Sequence, residues 1–367
     1  MLKKIVAVSL SLAFLLGMTA CGTTDPSAST SSVDKGSAAP SSMPEQTSGL
    51  TIATLNQLDA WPAYHAREDG VANAYGISYK LQSYTAGFQL VEDASLGKWQ
   101  IGNVGGVPAL LGVLNRQLTI IGIAADESDA NALLTRKDNP NFNEENDGVF
   151  GTAEQLRNKA IYTTQASSAH RLIDAYLKKL GLTEADVNLQ YASQAECVEA
   201  LKDGRAELAS LWAPYTYEAE KAIGEVKTVA KGSDLGVRNY MVYVANKDWA
   251  SNNKETIARF LAATGEEAAA IDQAREGELA TFFTSYGKAN LKSQHIAEEL
   301  QSHKLFSVDE QLALLENGDL RQGMDDVASF FKGINRFAQS NYDQLSEMNY
   351  GIDDSYLKLA KEMKKRA

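Results

Sequence analysis

Short apolar runs alternate with amphipathic stretches along the first part of the folded chain. Four runs rich in β-branched and apolar residues predict strands, and they lie at 50–55, 77–84, 99–104 and 118–124. The intervening stretches show helical spacing, with Pro62 and Pro108 suited to a first helical turn, and they cover 62–75, 89–96 and 109–114. Strands that alternate with helices indicate βαβ units and a mostly parallel sheet.

The same alternation restarts after a polar break. A strand predicted at 131–137 leads into 137–149, a segment rich in Asn, Asp, Pro and Glu. Beyond it the pattern predicts a strand ending at 162, helix 169–180, strand 187–191, helix 194–202, strand 207–211, helices on both sides of 227–230, and strand 238–244. From 254 onward nearly all of the chain has helical spacing. We therefore expect two α/β units, a returning strand and a helical tail.

The first 49 residues have the pattern of an export leader and a linker. Lys3 and Lys4 precede an apolar run at 5–16 that is too short to span a bilayer. Met18 to Cys21 resembles the lipobox of bacterial lipoproteins, which implies a signal peptide at 1–20 and long acyl chains such as palmitate on Cys21. The alternative is an ordinary signal cleaved near Ala20. Residues 21–49, dominated by Ser, Thr, Ala, Pro and Gly, predict a flexible tether.

Composition narrows the class of protein. The chain is 44% hydrophobic and 22% charged, which is usual for a globular protein. Its net charge is −12, and loss of Lys3 and Lys4 with the leader makes it −14. Such a charge repels phosphate backbones, so we expect no nucleic-acid partner. Cys197 is the one cysteine besides Cys21, and its apolar neighbours indicate a small core residue.

Catalytic and metal-binding patterns are missing from the sequence. The four histidines, His65, His170, His295 and His303, have neither the H-E-x-x-H spacing nor that of a common metal site. The chain has no G-x-S-x-G, no Walker loop and no G-x-G-x-x-G after a strand. We therefore expect a protein that is not an enzyme and that needs no metal or cofactor.

Polar, glycine and aromatic residues cluster where the predicted strands end. Ligands of open α/β sheets lie outside the carboxyl ends of strands, and helix starts there suit an anion. The candidate ligand-binding residues are Gln57, Asp59, Trp61, Asn103, Gly105, Asp126, Ser167, Ser168, Trp212 and Tyr240. Each has a plain alternative: tryptophans in the core, glycine in a tight turn, serines that only cap a helix, and acids solvated on loops.

Four segments resemble the substrate-binding proteins of bacterial ABC importers, in the branch for nitrate, sulfonates, taurine and thiamine precursors. Residues 101–108 (IGNVGGVP) look like the family's D-I-G-x-x-G-x-x-P turn, with Gln100 where Asp is usual. Residues 152–161 resemble the lead-in to the second lobe, and 163–170 the helix start that follows it, with Ala166 in place of Gly. Residues 198–214 (VEALKDGRAELASLWAP) match the segment ending W-x-P, with Glu207 for Asp.

This resemblance implies a two-lobed periplasmic-binding-protein fold of type II. Each lobe would be a mixed sheet flanked by helices, with a helical C-terminal extension. Lobe 1 would comprise 50–136 and 240–367, lobe 2 would comprise 137–239, and the two crossings would lie near Thr135 and Val242. The protein would be an extracytoplasmic monomer, held to the membrane by its lipid alone, that delivers a small molecule to a permease and its ATPase.

The chemistry of the ligand has two interpretations. Ser167, Ser168 and Asn103 could serve an anion of the sulfonate, taurine or nitrate type. Asp59, Asp126 and Glu127 would oppose a bare anion and favour a group that bears an amine. We expect an anionic or zwitterionic solute, with an amine-bearing heterocycle such as a thiamine-precursor pyrimidine as the alternative. A pyrimidine-synthase-like enzyme of the same fold remains as a different class, although its cysteine-rich motif is missing here.

Overall fold

The computed structural model describes residues 47–365. The predicted signal peptide, Cys21 and most of the predicted tether lie outside the described residues. The first strand starts at Thr47, inside the segment that we assigned to the tether, because main-chain pairing of Thr47 with Ile77 needs no apolar side chain. Within 47–365, none of the helices combines the length and the apolar character needed to cross a membrane.

Thirteen strands and sixteen α-helices make up the described chain. The strands are β1 (Thr47–Leu55), β2 (Ile77–Tyr84), β3 (Ile101–Gly105), β4 (Leu118–Asp126), β5 (Asn131–Arg136), β6 (Glu145–Asn146), β7 (Val149–Phe150), β8 (Ala160–Thr163), β9 (Asn188–Tyr191), β10 (Leu208–Trp212), β11 (Val226–Lys231), β12 (Tyr240–Asn246) and β13 (Lys304–Leu305). The helices are α1 (Trp61–Glu68), α2 (Val71–Ala74), α3 (Gly87–Ser95), α4 (Gly106–Leu114), α5 (Ala153–Leu156), α6 (Ser168–Lys179), α7 (Gln194–Lys202), α8 (Tyr215–Ile223), α9 (Lys247–Asn252), α10 (Lys254–Ala270), α11 (Glu276–Phe282), α12 (Ser293–Ser302), α13 (Val308–Glu316), α14 (Asp319–Gly333), α15 (Gln339–Glu347) and α16 (Ser355–Lys361).

A six-stranded sheet with the order β13-β4-β12-β3-β1-β2 organises the part of the chain that we call lobe 1. Strand β1 is parallel to β2 and β3, whereas the returning strand β12 is antiparallel to β3 and β4. The sheet is therefore mixed, as expected. The C-terminal helices pack on it, and one hydrophobic core joins residues of β1–β4 with residues of α10, α14 and α16.

A five-stranded sheet with the order β11-β5-β10-β8-β9 organises what we call lobe 2. Strands β8, β9 and β10 run parallel, and β5 is antiparallel to both β10 and β11. Strand β5 therefore belongs to lobe 2, whereas our division placed 50–136 in lobe 1. The apolar run at β5 cannot indicate which sheet it joins, since main-chain pairing with distant strands decides that. With this strand moved, the division into two lobes stays a prediction.

The chain passes between the sheets at 127–130 and at 232–239, not at Thr135 and Val242, which lie inside β5 and β12. The two crossings are bonded side by side: the Glu127 N–H donates to the Asn239 carbonyl at 2.9 Å, and the Gly232 N–H to the Ser128 carbonyl at 3.1 Å. A Cβ at Gly232 would lie 2.2 Å from that Ser128 oxygen. Glycine at this position therefore allows the crossings to run in contact.

Two local predictions were wrong. The helix expected over 62–75 is divided into α1 and α2 at Gly70, whose φ of 77° interrupts helical geometry. The second is the helix expected after 227–230. Helix α8 precedes that stretch as predicted, but only a 3₁₀ turn at Ser233–Leu235 follows it, and Gly236 with a φ of 64° ends the turn. Residues 227–230 themselves belong to strand β11, which pairs with β5.

Candidate functional site

A cleft of about 600 Å³ separates the start of α3 from the strand ends of lobe 2. Its volume is within the range of small-molecule sites, roughly 300–1,000 Å³. From lobe 1 it is lined by Thr85, Ala86, Phe88 and Gln89, which follow β2, and from lobe 2 by Thr164, Gln165, Ala166, Tyr191, Ala192, Ser193, Gln194, Ala195, Trp212 and Tyr215, which follow β8, β9 and β10. It therefore lies at carboxyl ends of parallel strands, where ligands of α/β sheets are usually found.

Aromatic side chains cover both walls of the cleft. Phe88 on the lobe 1 wall and Tyr191 on the lobe 2 wall are each 42% exposed, although large apolar side chains elsewhere in the described chain are mostly buried. The Trp212 ring meets the Tyr215 ring edge to face, with centroids 6.3 Å apart. Exposed rings on facing walls are free to cover a solute placed between them.

Gln194 holds the lobe 2 wall in place. Its Nε2 donates to Thr164 Oγ1 at 3.1 Å and to the Ser210 carbonyl at 3.2 Å, while its Oε1 accepts from the Trp212 N–H at 2.9 Å. One buried carboxamide therefore joins the segment after β8 to strand β10. Ser193 begins the same helix with a capping box to Glu196, which uses the Ser193 hydroxyl for structure.

The polar side chains that line the cleft are uncharged hydrogen-bonding groups. Among its lining residues none carries a charged side chain; the polar ones are Thr, Ser, Gln and Tyr. Helix α3 begins at the lobe 1 wall without a side-chain cap, so its first N–H groups and its dipole face an incoming group. Gly87 permits this close start, because a Cβ there would lie 2.6 Å from Pro108 Cγ.

A second group of polar side chains is buried beside the crossings. We call it the acceptor cluster, and it consists of Gln57, Asp59, Asn103, Glu127, Asn131 and Glu299, all of them at most 2% exposed. Asn103 Nδ2 donates to the Asp59 carbonyl at 2.8 Å, and Gln57 Nε2 reaches the Ala213 carbonyl of lobe 2 at 3.3 Å. Ala213 is the residue after Trp212 in the sequence, and Trp212 lines the cleft. Through Gln57 the acceptor cluster therefore contacts the chain next to the cleft.

Burial changes the acidity of the carboxyl groups in the acceptor cluster. Desolvation, reinforced by the charge of Asp126, raises the pKa of Glu127 to about 8. Desolvation also raises the pKa of Glu299 to about 7, although His303 and the Tyr217 hydroxyl oppose the increase. The pKa of Asp59 rises well above its usual range, first through desolvation and then through Glu127, with His303 and nearby main-chain N–H groups offsetting part of it.

The predicted site residues fall into separate groups. Trp212 lines the cleft, whereas Gln57, Asp59 and Asn103 lie in the acceptor cluster. Trp61 is fully buried, with its ring stacked on His65 at 4.4 Å and edge-on to Phe282. This packing agrees with the core alternative that we kept open for it.

The remaining predicted residues serve local structure. Ser167 caps α6, accepting from the His170 N–H at 3.3 Å and donating to the Thr164 carbonyl, and Ser168 is the first residue of that helix. Asp126 accepts from the Ser128 N–H and hydroxyl. Tyr240 is buried against Gly323 of α14, and Gly105 precedes α4. None of these five lines the cleft, and their roles in binding stay predictions.

Sequence reasoning missed the part of the cleft at the ends of β2 and β9, which includes Phe88, Gln89, Tyr191 and Gln194. The ends of these two predicted strands were not inspected, although the same rule applied to them. Glu299 was missed because it lies in the helical tail. Its signal was the spacing of His295, Glu299 and His303, four residues apart, which places all three along one side of α12 and its end.

Comparison with known proteins agrees with this architecture. The model of the NMT1/THI5-like family matches residues 62–273, more than half of the chain. An Escherichia coli (strain K12) protein named for binding aliphatic sulfonates is 24% identical over 205 residues, which are 56% of this chain and 61% of that protein. The chain thus spans less than two thirds of that relative.

Two further comparisons cover most of the chain. A Brachyspira hyodysenteriae protein, named as an ABC transporter periplasmic binding protein, is 21% identical over 320 residues, which are 84% of this chain and 88% of that protein. The crystal structure of the periplasmic nitrate-binding protein from Synechocystis PCC 6803 superposes with a TM-score of 0.68 at 10% identity, covering 85% of this chain and 88% of that one. This similarity confirms the predicted periplasmic-binding-protein fold. The NMT1/THI5-like family model covers more than half of this chain, and the chain therefore belongs to that family.

Proposed function

We propose that this protein is an extracytoplasmic solute receptor that delivers a small molecule to the permease of an ABC importer. The observation that carries the proposal is the cleft between the lobes, with exposed aromatic rings on facing walls and strand ends at its rim. Two contiguous crossings connect the lobes, and such paired connections suit a hinge that closes on a solute. The relatives named for solute binding and ABC transport support this function rather than an enzymatic one.

The solute that we propose is small and anionic or zwitterionic, of the sulfonate, taurine or nitrate type. The cleft supplies neutral donors and the uncapped start of α3, which suit an oxyanion. A specific observation favours the second candidate, an amine-bearing heterocycle. Buried carboxyl groups belong to the same acceptor cluster as Gln57, which contacts Ala213 next to the cleft residue Trp212, and the aromatic rings of the cleft suit stacking on a flat ligand. We propose no enzymatic reaction for either class.

A thermal-shift screen is the experiment that tests this function. Full-length protein is heated with nitrate, ethanesulfonate, taurine, simple amines and aminopyrimidines, each compared with sodium chloride at the same ionic strength. A true solute at about a hundred times its dissociation constant adds about 2.7 kcal/mol to the free energy of unfolding. We expect one chemical class to raise the melting temperature by several degrees. If no class does, the receptor function proposed here is wrong.

We further propose that the receptor is a monomer held at the outer face of the membrane by a lipid on Cys21. We expect Cys21→Ser to release the protein in soluble form, because a serine hydroxyl cannot form the thioether that carries the lipid. The measurement is the fraction of protein in the membrane pellet after export. A serine variant that remains in the pellet as fully as the original would contradict the anchor.

A further inference from the structure

When its carboxyl groups are ionised, the acceptor cluster contains far more hydrogen-bond acceptors than donors. Eight of its buried side-chain oxygens have no hydrogen-bond partner among the described residues, and they are Gln57 Oε1, both oxygens of Asp59, Asn103 Oδ1, Glu127 Oε1, Asn131 Oδ1 and both oxygens of Glu299. A buried acceptor without a partner destabilises a fold, so eight in one region are too many to be incidental. Their number indicates that something with N–H groups belongs among them.

The three carboxamide side chains also present acceptor oxygens, whatever the protonation of the acids. Gln57, Asn103 and Asn131 each turn the NH₂ group toward a main-chain carbonyl, those of Ala213, Asp59 and Glu127, at 3.3, 2.8 and 3.1 Å. Each side-chain NH₂ group is therefore bonded to the main chain, whereas each side-chain oxygen has no partner. Since a carboxamide could supply either group, this arrangement specifies acceptors alone.

The acids approach one another around His303. His303 Nε2 lies 3.7 Å from Glu127 Oε1, and His303 Nδ1 lies 3.6 Å from Glu299 Oε2. The charges of Glu127 and His303 both change the pKa of Asp59, the first raising it and the second lowering it. The Tyr217 hydroxyl lies beside Glu299 and lowers its pKa. Three carboxyl groups thus share one buried region with a single imidazole.

The acceptor cluster lies where the parts of the receptor meet. Gln57, Asp59 and Asn103 come from lobe 1, Glu127 from the first crossing, Asn131 from the start of β5, and Glu299 from α12. The contact from Gln57 to Ala213 joins the two lobes directly. Separation of the lobes at the crossings would therefore open the acceptor cluster to solvent, which gives a ligand group a route into it.

We propose that the acceptor cluster binds a positively charged nitrogen group of the transported solute, a primary ammonium or an amidinium, so that the solute is a zwitterion or a cation and not a simple anion. This inference rests on the proposed receptor function and narrows its ligand. A charged nitrogen group donates several bonds at once, and its charge favours the ionised form of Asp59, Glu127 and Glu299, which burial alone disfavours.

A metal ion fits these residues less well. Within residues 47–365, no three His, Cys, Asp or Glu side chains are arranged to hold a metal ion. Charged N–H donors, which bond directly to buried acceptors, suit these residues better.

The test uses ethylammonium, ethanesulfonate and taurine, which isolate the amine, the sulfonate and their combination. Full-length protein is melted with each salt and with sodium chloride at matched ionic strength. We expect ethylammonium to stabilise the protein more than sodium does, and taurine to bind more tightly than ethanesulfonate. Asp59→Asn and Glu299→Gln should each weaken the ethylammonium effect by about tenfold in apparent affinity, which is about 1.4 kcal/mol, since each removes a charged hydrogen-bond partner.

Glu298→Gln is the matched control, because it makes the same change on the neighbouring, exposed residue of α12 and should leave the ethylammonium effect intact. If ethylammonium acts no differently from sodium while ethanesulfonate binds, the cation site is wrong and the receptor stands. If no solute of the wider screen stabilises the protein, ethylammonium included, the receptor proposal itself fails. Stabilisation by magnesium or zinc chloride, lost in the same variants, would identify a metal site and overturn the proposal.

Discussion

Replacing Phe88 and Tyr191 together with alanine is expected to lower the affinity for the solute found in the thermal-shift screen by about a hundredfold and to leave the melting temperature within a few degrees. Burial of a phenylalanine side chain is worth about 1.5–3 kcal/mol, and each ring is 42% exposed in the protein alone. Much of that burial is therefore still available to a ligand. About tenfold per ring corresponds to about 1.4 kcal/mol.

Leu96→Ala is the control for this pair. Leu96 is 67% exposed and caps the end of α3, the helix that carries Phe88, but it does not line the cleft. Its removal should change neither affinity nor stability. The measurement is titration calorimetry with the solute that gives the largest shift in the screen, together with thermal unfolding. Unchanged affinity in the double variant would show that the solute binds elsewhere.

The stability of the protein is expected to decrease as the pH rises from about 5 to about 8, because the acceptor cluster contains buried acids with raised pKa values. The pKa of Glu299 is about 7 and that of Glu127 about 8, against an ordinary value of 4.5 for both. Between these limits the folded protein binds protons that the unfolded chain does not, so the free energy of unfolding decreases with pH. The contribution is complete below pH 4.5 and is lost as pH passes through the folded pKa values.

The groups that face these acids define the control. Glu299 is surrounded by His303, Tyr217, Glu127 and Asp59, and Glu127 by Asp126, Asp59 and His303. Glu127→Gln and Glu299→Gln should each flatten the fall in melting temperature, since the amide cannot titrate, whereas Glu298→Gln should retain it. Surface acids with lowered pKa values, such as Asp93 and Asp186, titrate below about pH 5 and do not contribute to the pH dependence between about 5 and 8. Equal slopes in all three variants would contradict the assignment.

The local pattern of apolar and polar residues was sufficient to predict most of the strands and helices. The alternation of apolar runs with helical spacing placed β1, β2, β4 and α7 close to their observed bounds, since strand and helix periodicity depend on neighbouring residues. The cap at Ser167 was also predictable, because a serine before a helical stretch satisfies its first N–H groups. The rule that ligands lie at strand ends led to Trp212, and it would have led to Phe88 and Tyr191 had it been applied to β2 and β9.

The sequence by itself determined the class of the fold, its two α/β units and its returning strand, because these follow from periodicity within single elements. The tertiary structure alone decided that β5 joins the second sheet and that the crossings lie at 127–130 and 232–239, since main-chain pairing over long separations carries no local signature. It also decided that Glu299, in the helical tail, lies beside Asp59 and Glu127. Packing of α12 against the crossings unites these acids, and only that packing removes them from water.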